Sequence, residues 1–245
     1  MGAGPARLAR ELGVDAEQIE PRGEFRAEIG TAFDLYRVLA QRVRDGAGVP
    51  VVLAGNCGAC VGTTAGVGMD DLAVIWFDAH GDFMTPETTT SGFLDGMGLS
   101  IVTGRCFHKL AKSIPGFEPL PHDRALHVGG RDWSEGELED CHRHRVGVAA
   151  DVEAAIPALD LLAERAGRIV IHVDLDVIDS TYGKANHYAV PGGLWPDDVV
   201  RIINLCGERF AIAGVNLASY DPSFDTAGTI AKAGARFVKT ALSFC

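Results

Sequence analysis

Three side chains of metal-ligand type occur at alternate positions directly after an apolar run. The run covers residues 72–77, and Asp78, His80 and Asp82 follow it. In an extended segment side chains alternate between two faces, so we expect these three to face the same way. Two carboxylates and an imidazole on one face, at the end of a buried strand, predict half of a metal site.

A second apolar run ends in residues of the same kind. Residues 169–173 are apolar apart from His172, and Asp174 and Asp176 follow. We expect the two strand ends to meet over two divalent metal ions, because carboxylates suit hard cations and can bridge two of them. His172 lies on the same predicted face. It is either support for a ligand or a core histidine whose hydrogen bonds are satisfied.

The segments around these motifs alternate between strand and helix patterns. Predicted strands cover residues 51–53, 72–77, 125–128, 146–148, 168–173 and 210–217. Predicted helices cover residues 24–46, 92–102, 154–165, 195–206 and 226–242, with a further helix beginning at Ser134. This alternation predicts an α/β fold with a parallel sheet covered on both faces, which binds ligands at the carboxyl ends of its strands. With no repeat and no low-complexity linker, residues 1–245 are predicted to form one domain.

The composition excludes several classes of protein. The chain has 33 acidic and 22 basic residues, and its net charge of −11 argues against non-specific binding of nucleic acid. Its six cysteines are scattered and do not resemble a disulfide framework. We find neither a signal segment nor an apolar stretch of about 18 residues, so a cytoplasmic protein without a membrane segment is expected.

The motifs at residues 78–82 and 172–179 together resemble those of the arginase/agmatinase family of ureohydrolases. Three further segments are similar to the family: its substrate loop at 85–92, its Gly-x-Arg-Asp segment at 128–132 and its Gly-Gly-Leu turn at 191–194. The resemblance begins near residue 24, residues 1–23 match poorly, and we expect the chain to be shortened at its amino end. It implies a three-layer αβα sandwich with a mainly parallel sheet.

The resemblance also implies a binuclear manganese centre with six protein ligands, in a homo-oligomer such as a trimer or hexamer. Five ligands match by residue type: Asp78, His80, Asp82, Asp174 and Asp176. By the family pattern Asp78 and Asp174 bridge the two ions. Asp82 completes one metal site, and His80 with Asp176 completes the other.

The sixth ligand position departs from the family. Residues 54–57 read Ala-Gly-Asn-Cys where the family has Gly-Gly-Asp-His, so Cys57 stands in place of a histidine. A thiolate is a softer ligand that prefers Zn²⁺ or Fe²⁺ to Mn²⁺. Three interpretations of Cys57 are open: a ligand, a weak ligand, or an inert buried thiol.

Four further positions around the site depart from the arginase pattern. Met84 and Phe93 replace two loop asparagines, Asp95 replaces the proton-shuttling histidine, and Ser219 replaces the glutamate that holds the guanidinium. Asp95 can act as a general acid or base if its pKa is raised, or it can be a solvated helix residue. The candidate catalytic residues are Asp95 and, among the predicted metal ligands, Asp82.

The candidate substrate-binding residues are Ser91, Asp132, Ser219 and Asp221, with Arg131 as a further candidate for a polar substrate tail. Asp221 can replace the lost glutamate if the strand end bends, and Asp132 can instead cap the helix after it. Since a buried guanidinium needs a carboxylate partner, a modified guanidine such as an N-hydroxyguanidine, or an amide-like compound, is as compatible with these residues as free L-arginine.

The sequence therefore predicts a metal-dependent hydrolase that cleaves a C–N bond of a guanidino or modified guanidino compound through a metal-bridging hydroxide. Two alternatives belong to other classes. One is a catalytically silent binding or regulatory protein with the arginase fold. The other is an amidohydrolase or deacylase on the same fold.

Overall fold

One parallel sheet of six strands forms the middle of the molecule. The computed structural model describes residues 2–245, and its strands are β1 Val51–Leu53, β2 Leu72–Phe77, β3 Ala125–Val128, β4 Gly147–Ala149, β5 Arg168–Asp174 and β6 Ala211–Ala218. Their order in the sheet is β1-β6-β5-β2-β3-β4, and every pair is parallel. The two strands that precede the aspartate motifs, β2 and β5, are therefore central neighbours.

Helices cover both faces of the sheet. In the described part of the chain they are α1 Gly4–Leu12, α2 Glu28–Asp45, α3 Ala59–Val67, α4 Gly98–Val102, α5 His108–Ala111, α6 Glu137–His144, α7 Val152–Ala163, α8 Pro196–Arg209 and α9 Thr229–Leu242. One core packs α1, α7, α8 and α9 against the sheet, and the other packs α2 to α6 against the opposite face. The predicted three-layer αβα sandwich is confirmed.

The central strands are buried on both faces, which explains why their sequences are almost continuously apolar. All six residues of β2 are fully buried. Its side chains alternate, so that Ile75 and Phe77 enter one core while Val74 and Trp76 enter the other. Phe77 pairs with Val173 of β5 in the sheet register, so the two strands end within one residue of the same level.

Several elements begin later than the sequence pattern predicts. The helix predicted over 24–46 begins at Glu28, and the one predicted over 92–102 is a 3₁₀ turn, Asp95–Met97, followed by α4. The helix predicted from Ser134 begins at Glu137, whose carboxylate accepts from the Ser134 N–H and also from the Phe83 N–H. The second bond ties α6 to the loop after β2, so Glu137 does more than cap its own helix.

Two other predictions concern the whole chain. No strand precedes β1 within residues 2–50, where α1 and α2 lie instead. Among the described residues, no helix combines the length and the apolar character that crossing a bilayer requires. The single-domain organisation of residues 1–245 stays a prediction.

Candidate metal centre

A cavity of about 190 Å³ opens at the carboxyl end of the sheet, between the ends of β2 and β5. All six predicted metal ligands line it: Cys57, Asp78, His80, Asp82, Asp174 and Asp176. The cavity therefore lies where a parallel sheet is expected to bind its ligand.

The two strand ends fold into the same local structure. Asp78 Oδ1 accepts a hydrogen bond from the backbone N–H of His80 at 2.8 Å, and Asp174 Oδ1 accepts one from the N–H of Asp176 at 2.9 Å. Each is the turn that an aspartate forms with the backbone two residues on. Both carboxylates are thereby fixed by one oxygen, and the other oxygen, Oδ2, of each approaches the Cys57 thiol, at 3.8 Å from Asp78 and 2.9 Å from Asp174.

The His80 ring lies among three carboxylates. Its Nδ1 is 3.3 Å from Asp78 Oδ1 and 3.5 Å from Asp176 Oδ2, and its Nε2 is 3.7 Å from Asp132 Oδ2. Burial lowers the pKa of His80, but the hydrogen bond to Asp78 and the charges of Asp176, Asp78 and Asp132 outweigh it and raise that pKa to about 9. Without a metal the ring is therefore an imidazolium that neutralises part of the site.

The alternation of side chains along a strand does not explain how Asp82 comes to line the cavity. β2 ends at Phe77, and Asp82 has a left-handed backbone with φ of +51°. Its Oδ2 is buried and has no hydrogen-bond partner among the described residues. Burial and the charges of neighbouring carboxylates raise the pKa of Asp82 well above its usual range. Residues 78, 80 and 82 line the same cavity, but a turn, and not the extended segment that the sequence predicted, brings Asp82 there.

Gly81 allows Glu137 to support this turn. A Cβ on Gly81 would lie only 2.3 Å from the Glu137 carboxyl carbon, so the carboxylate occupies the space that a side chain would need. From there Glu137 accepts from the Phe83 N–H at 2.8 Å. The absence of a side chain at Gly81 therefore leaves room for the carboxylate that holds this turn.

Cys57 lies at the floor of the cavity as a buried thiol. Its Sγ is 2.9 Å from Asp174 Oδ2 and 3.4 Å from Ser219 Oγ. Burial, followed by the charges of Asp174, Asp95, Asp82 and Asp78, raises the pKa of this thiol well above its usual range. The thiol is therefore protonated without a metal and donates to Asp174, and only a cation would make its thiolate favourable.

The donor set fits divalent metal ions. Burial and mutual repulsion raise the pKa values of Asp78, to about 6, and of Asp174, well above the usual range. Two groups of ligand atoms have all members within 4.8 Å of one another: Asp78, His80 and Asp176 in one, and Cys57, Asp78 and His172 in the other. A cation between the strand ends would relieve this repulsion and give the free Asp82 oxygen a partner.

Asp95 lines the same cavity but is held to the Cys57 loop. Its Oδ1 accepts from the Gly58 N–H at 3.1 Å and its Oδ2 accepts from the Asn56 amide at 3.0 Å. Burial raises the pKa of Asp95, and these two hydrogen bonds oppose that shift. The carboxylate therefore positions the loop that carries Cys57, while one side of it faces the cavity.

The predicted substrate-binding residues divide into two groups. Ser91, Asp132 and Ser219 line the cavity. Asp221 is not among the lining residues of the described chain, and its Oδ1 accepts instead from the N–H and hydroxyl of Ser223. The strand end therefore does not bend to bring Asp221 into the position of the lost glutamate.

Arg131 has a structural role, which corrects its assignment to a substrate tail. Its guanidinium donates to six backbone carbonyls: those of Gly129, Asp176, Val177, Ile178, Val190 and Pro191. These bonds join the loop after β5 to the turn at residues 190–191. The Arg131 side chain therefore stabilises the segment that carries Asp176.

Two cavity residues escaped the sequence analysis. Asn186 donates to Asp176 Oδ2 at 3.3 Å and to the Ser219 carbonyl at 2.8 Å, and its own carbonyl accepts from the Tyr188 N–H. The Tyr188 ring meets the His80 ring edge-to-face, with centroids 6.2 Å apart, and lies 5.9 Å from the Phe93 ring. Both residues lie in an irregular segment between β5 and α8, which has no periodicity to reveal them.

Comparison with known proteins gives consistent results. Residues 14–243 match the model of the arginase family. N(omega)-hydroxy-L-arginine amidinohydrolase of Streptomyces lavendulae is 33% identical over 184 residues, which make up 74% of this chain and 64% of that protein. Arginase of Bacillus caldovelox is 27% identical over 228 residues, 86% of this chain and 75% of that protein. The matched part thus spans less than two thirds of the first relative's length.

Solved structures agree on the fold. Arginase from Bacillus subtilis subsp. subtilis str. 168 superposes with a TM-score of 0.86 at 23% identity, covering 98% of this chain and 91% of that one. Formimidoylglutamase from the same strain superposes with a TM-score of 0.78 at 17% identity, covering 99% and 80%. At these identities the likeness concerns the α/β sandwich alone.

Proposed function

This chain belongs to the arginase family, and we propose that it is a metal-dependent hydrolase that cleaves a C–N bond of a guanidino compound. One observation carries the proposal. Six side chains of metal-ligand type, from three separate segments of the chain, line one small cavity at the carboxyl end of the sheet. Buried carboxylates with raised pKa values and a confined cavity are the usual marks of a catalytic site.

The residues divide the work of hydrolysis between them. Divalent ions bound at this site would supply a nucleophile from water at neutral pH. Asp78, His80, Cys57, Asp82, Asp174 and Asp176 would hold the ions. Asp82 would in addition accept a proton from the attacking water through the carboxylate oxygen that does not bind an ion. As the C–N bond breaks, the leaving amine takes that proton, and the guanidino carbon leaves as urea or a substituted urea.

The residues around the cavity favour an N-hydroxyguanidine over a free guanidinium. Ser219 offers a hydroxyl, not a carboxylate, and Asp221 does not line the cavity. An N-hydroxyl group makes a guanidine less basic, so its neutral form, which needs no carboxylate partner when it is bound, is easier to reach. The relative that is 33% identical carries the name of an amidinohydrolase of N(omega)-hydroxy-L-arginine, which agrees with this preference.

The expected cofactor is a pair of divalent ions. Carboxylates and one imidazole suit Mn²⁺, whereas the Cys57 thiol adds a soft ligand that suits Zn²⁺ or Fe²⁺. Assembly into a homo-oligomer, such as a trimer or hexamer, and a cytoplasmic location stay predictions.

A substrate panel tests the proposal. Protein loaded with Mn²⁺, Zn²⁺ or Fe²⁺ is incubated with L-arginine, Nω-hydroxy-L-arginine, agmatine, N-formimidoyl-L-glutamate and simple amides. We expect hydroxyurea from the N-hydroxy substrate, with kcat/KM at least tenfold above that for L-arginine. Turnover of amides alone would indicate the amidohydrolase alternative. No turnover of any compound by fully loaded protein would indicate a silent relative and contradict the proposal.

A further inference from the structure

A row of three polar rings and one amide side chain crosses the buried face of the sheet beneath the cavity. In the strand register Asn216, His172, Trp76 and His127 lie side by side on four neighbouring strands. His172 is fully buried, and neither of its ring nitrogens has a hydrogen-bond partner among the described residues. A neutral imidazole carries one donor and one acceptor, so this burial costs free energy unless something binds the ring.

The ring is fixed beside two of the proposed metal ligands. A nitrogen of His172 lies within 4.8 Å of both Cys57 Sγ and an oxygen of Asp78. Trp76 packs against the imidazole with ring centroids 3.9 Å apart and ring planes tilted by 34°, and its own Nε1 donates to Asp78 Oδ2 at 3.3 Å. The indole therefore holds His172 and Asp78 in one arrangement.

Resting on the proposed function, we propose that His172 is a further metal ligand, and that Cys57, Asp78 and His172 form a site for Zn²⁺ or Fe²⁺. Thiolate, imidazole and carboxylate are the donors that zinc combines in proteins. Metal–ligand bonds of about 2.0–2.3 Å place donors about 3.5 Å apart, and the three ligand atoms already lie within 4.8 Å of one another before any metal is bound.

The proposed pair of ions is then a mixed one. The other group of ligand atoms, from Asp78, His80 and Asp176, offers two carboxylates and one imidazole and suits Mn²⁺. Asp78 belongs to both groups and bridges them. His172 in this arrangement restores the nitrogen ligand that Cys57 cannot provide.

Metal competition and X-ray absorption test the inference without any assay of turnover. Chelator-treated protein is given one equivalent each of Zn²⁺ and Mn²⁺ and then desalted. We expect one zinc and one manganese per chain, and a zinc-edge spectrum with one sulfur and one imidazole ligand. Manganese retained without zinc, or zinc bound by sulfur without imidazole, would overturn the inference and leave the proposed hydrolase intact. Failure to bind any divalent ion would overturn both.

Substitutions identify the imidazole. In His172→Gln we expect the imidazole signal to disappear while the sulfur signal stays, with zinc affinity lowered at least tenfold. His172→Phe keeps a ring against Trp76 and serves if the first variant does not fold. The control is Asn216→Ala, which removes the neighbouring buried side chain of the same row and should leave zinc affinity within twofold. An unchanged imidazole signal in the His172 variants would contradict the assignment.

Discussion

The Cys57 thiol donates to Asp174 Oδ2 at 2.9 Å and so joins the loop after β1 to the end of β5. In the metal-free protein burial raises the pKa of both the Cys57 thiol and the Asp174 carboxyl group. The hydrogen bond between them gives each of these buried groups a partner. A cation that binds the sulfur atom as a thiolate must displace the thiol proton to solvent. Metal binding and loss of this proton are therefore coupled.

Replacement of the thiol should change the choice of metal. In Cys57→His we expect the ratio of zinc to manganese affinity to fall about tenfold or more, because a soft thiolate is exchanged for an imidazole. Equilibrium dialysis against both ions measures the ratio. Cys60→Ala is the matched control, since Cys60 is equally buried but does not line the cavity. An unchanged ratio in Cys57→His would mean that the thiol is an inert core residue.

Asp95 should act on the site through the Cys57 loop. An amide at this position cannot accept both hydrogen bonds as a carboxylate does, so in Asp95→Asn we expect metal affinity to fall about 10–100-fold, the usual range for groups that orient a ligand. Titration with metal in a calorimeter measures this. Asn56→Ala, which removes one of the two bonds, should show a smaller loss in the same direction. Full metal affinity with only a displaced limb of the pH–rate profile would instead support a proton-transfer role.

The paired strand ends are predictable from sequence because local pattern and global fold agree there. An apolar run followed by alternate acidic residues marks a buried strand that ends at a ligand site, and both Asp78 and Asp174 follow such runs. The parallel register then brings them together. Cys57 is identified differently, by the resemblance of residues 54–57, which follow the short strand β1, to a motif of the arginase family.

The rest of the site depends on irregular backbone, which periodicity does not describe. Asp82 lies in the cavity because of a left-handed turn, and Tyr188 lies there because Asn186 ties its segment to Asp176. Arg131 is the opposite case. The sequence suggested that it binds substrate, but its guanidinium donates to backbone carbonyls in the structure. Such contacts join distant segments, and no local pattern records them.

Addition of a methyl group at Gly81 should destabilise the protein. Its Cβ would lie 2.3 Å from the Glu137 carboxyl carbon, and moving this carboxylate breaks its bond to the Phe83 N–H. We expect Gly81→Ala to lower the free energy of unfolding by about 1–3 kcal/mol, the usual effect of overpacking. Denaturant titration measures it. Gly96→Ala is the control, because a Cβ there meets no atom within 4 Å. Equal midpoints for both variants and the parent would disprove the contact.

Tyr188 should contribute to substrate binding more than to chemistry. Its ring lies at the cavity beside the His80 ring and near the Phe93 ring, where a planar guanidine group can stack on it. In Tyr188→Leu we expect KM to rise about tenfold, equivalent to about 1.4 kcal/mol, with kcat changed less than threefold. Steady-state kinetics separates the two constants. Tyr182→Leu replaces a similarly exposed ring that packs on Trp195, and it should leave KM unchanged. A loss confined to kcat would exclude this role.

The metal-free and metal-loaded proteins should respond to pH in opposite directions. The folded-state pKa of His80 is about 9, above its ordinary value of 6.5, so its ionisation stabilises the metal-free fold below pH 6.5 and this contribution is lost as pH rises through 9. Metal binding requires the neutral ring and ionised carboxylates, so stabilisation by Mn²⁺ should increase over the same range. Thermal unfolding at pH 6.5 to 9.5, in chelator and in Mn²⁺, measures both slopes. In His80→Asn the metal-free slope should become shallower, whereas a metal-free Tm that rises with pH in the parent would refute the assignment.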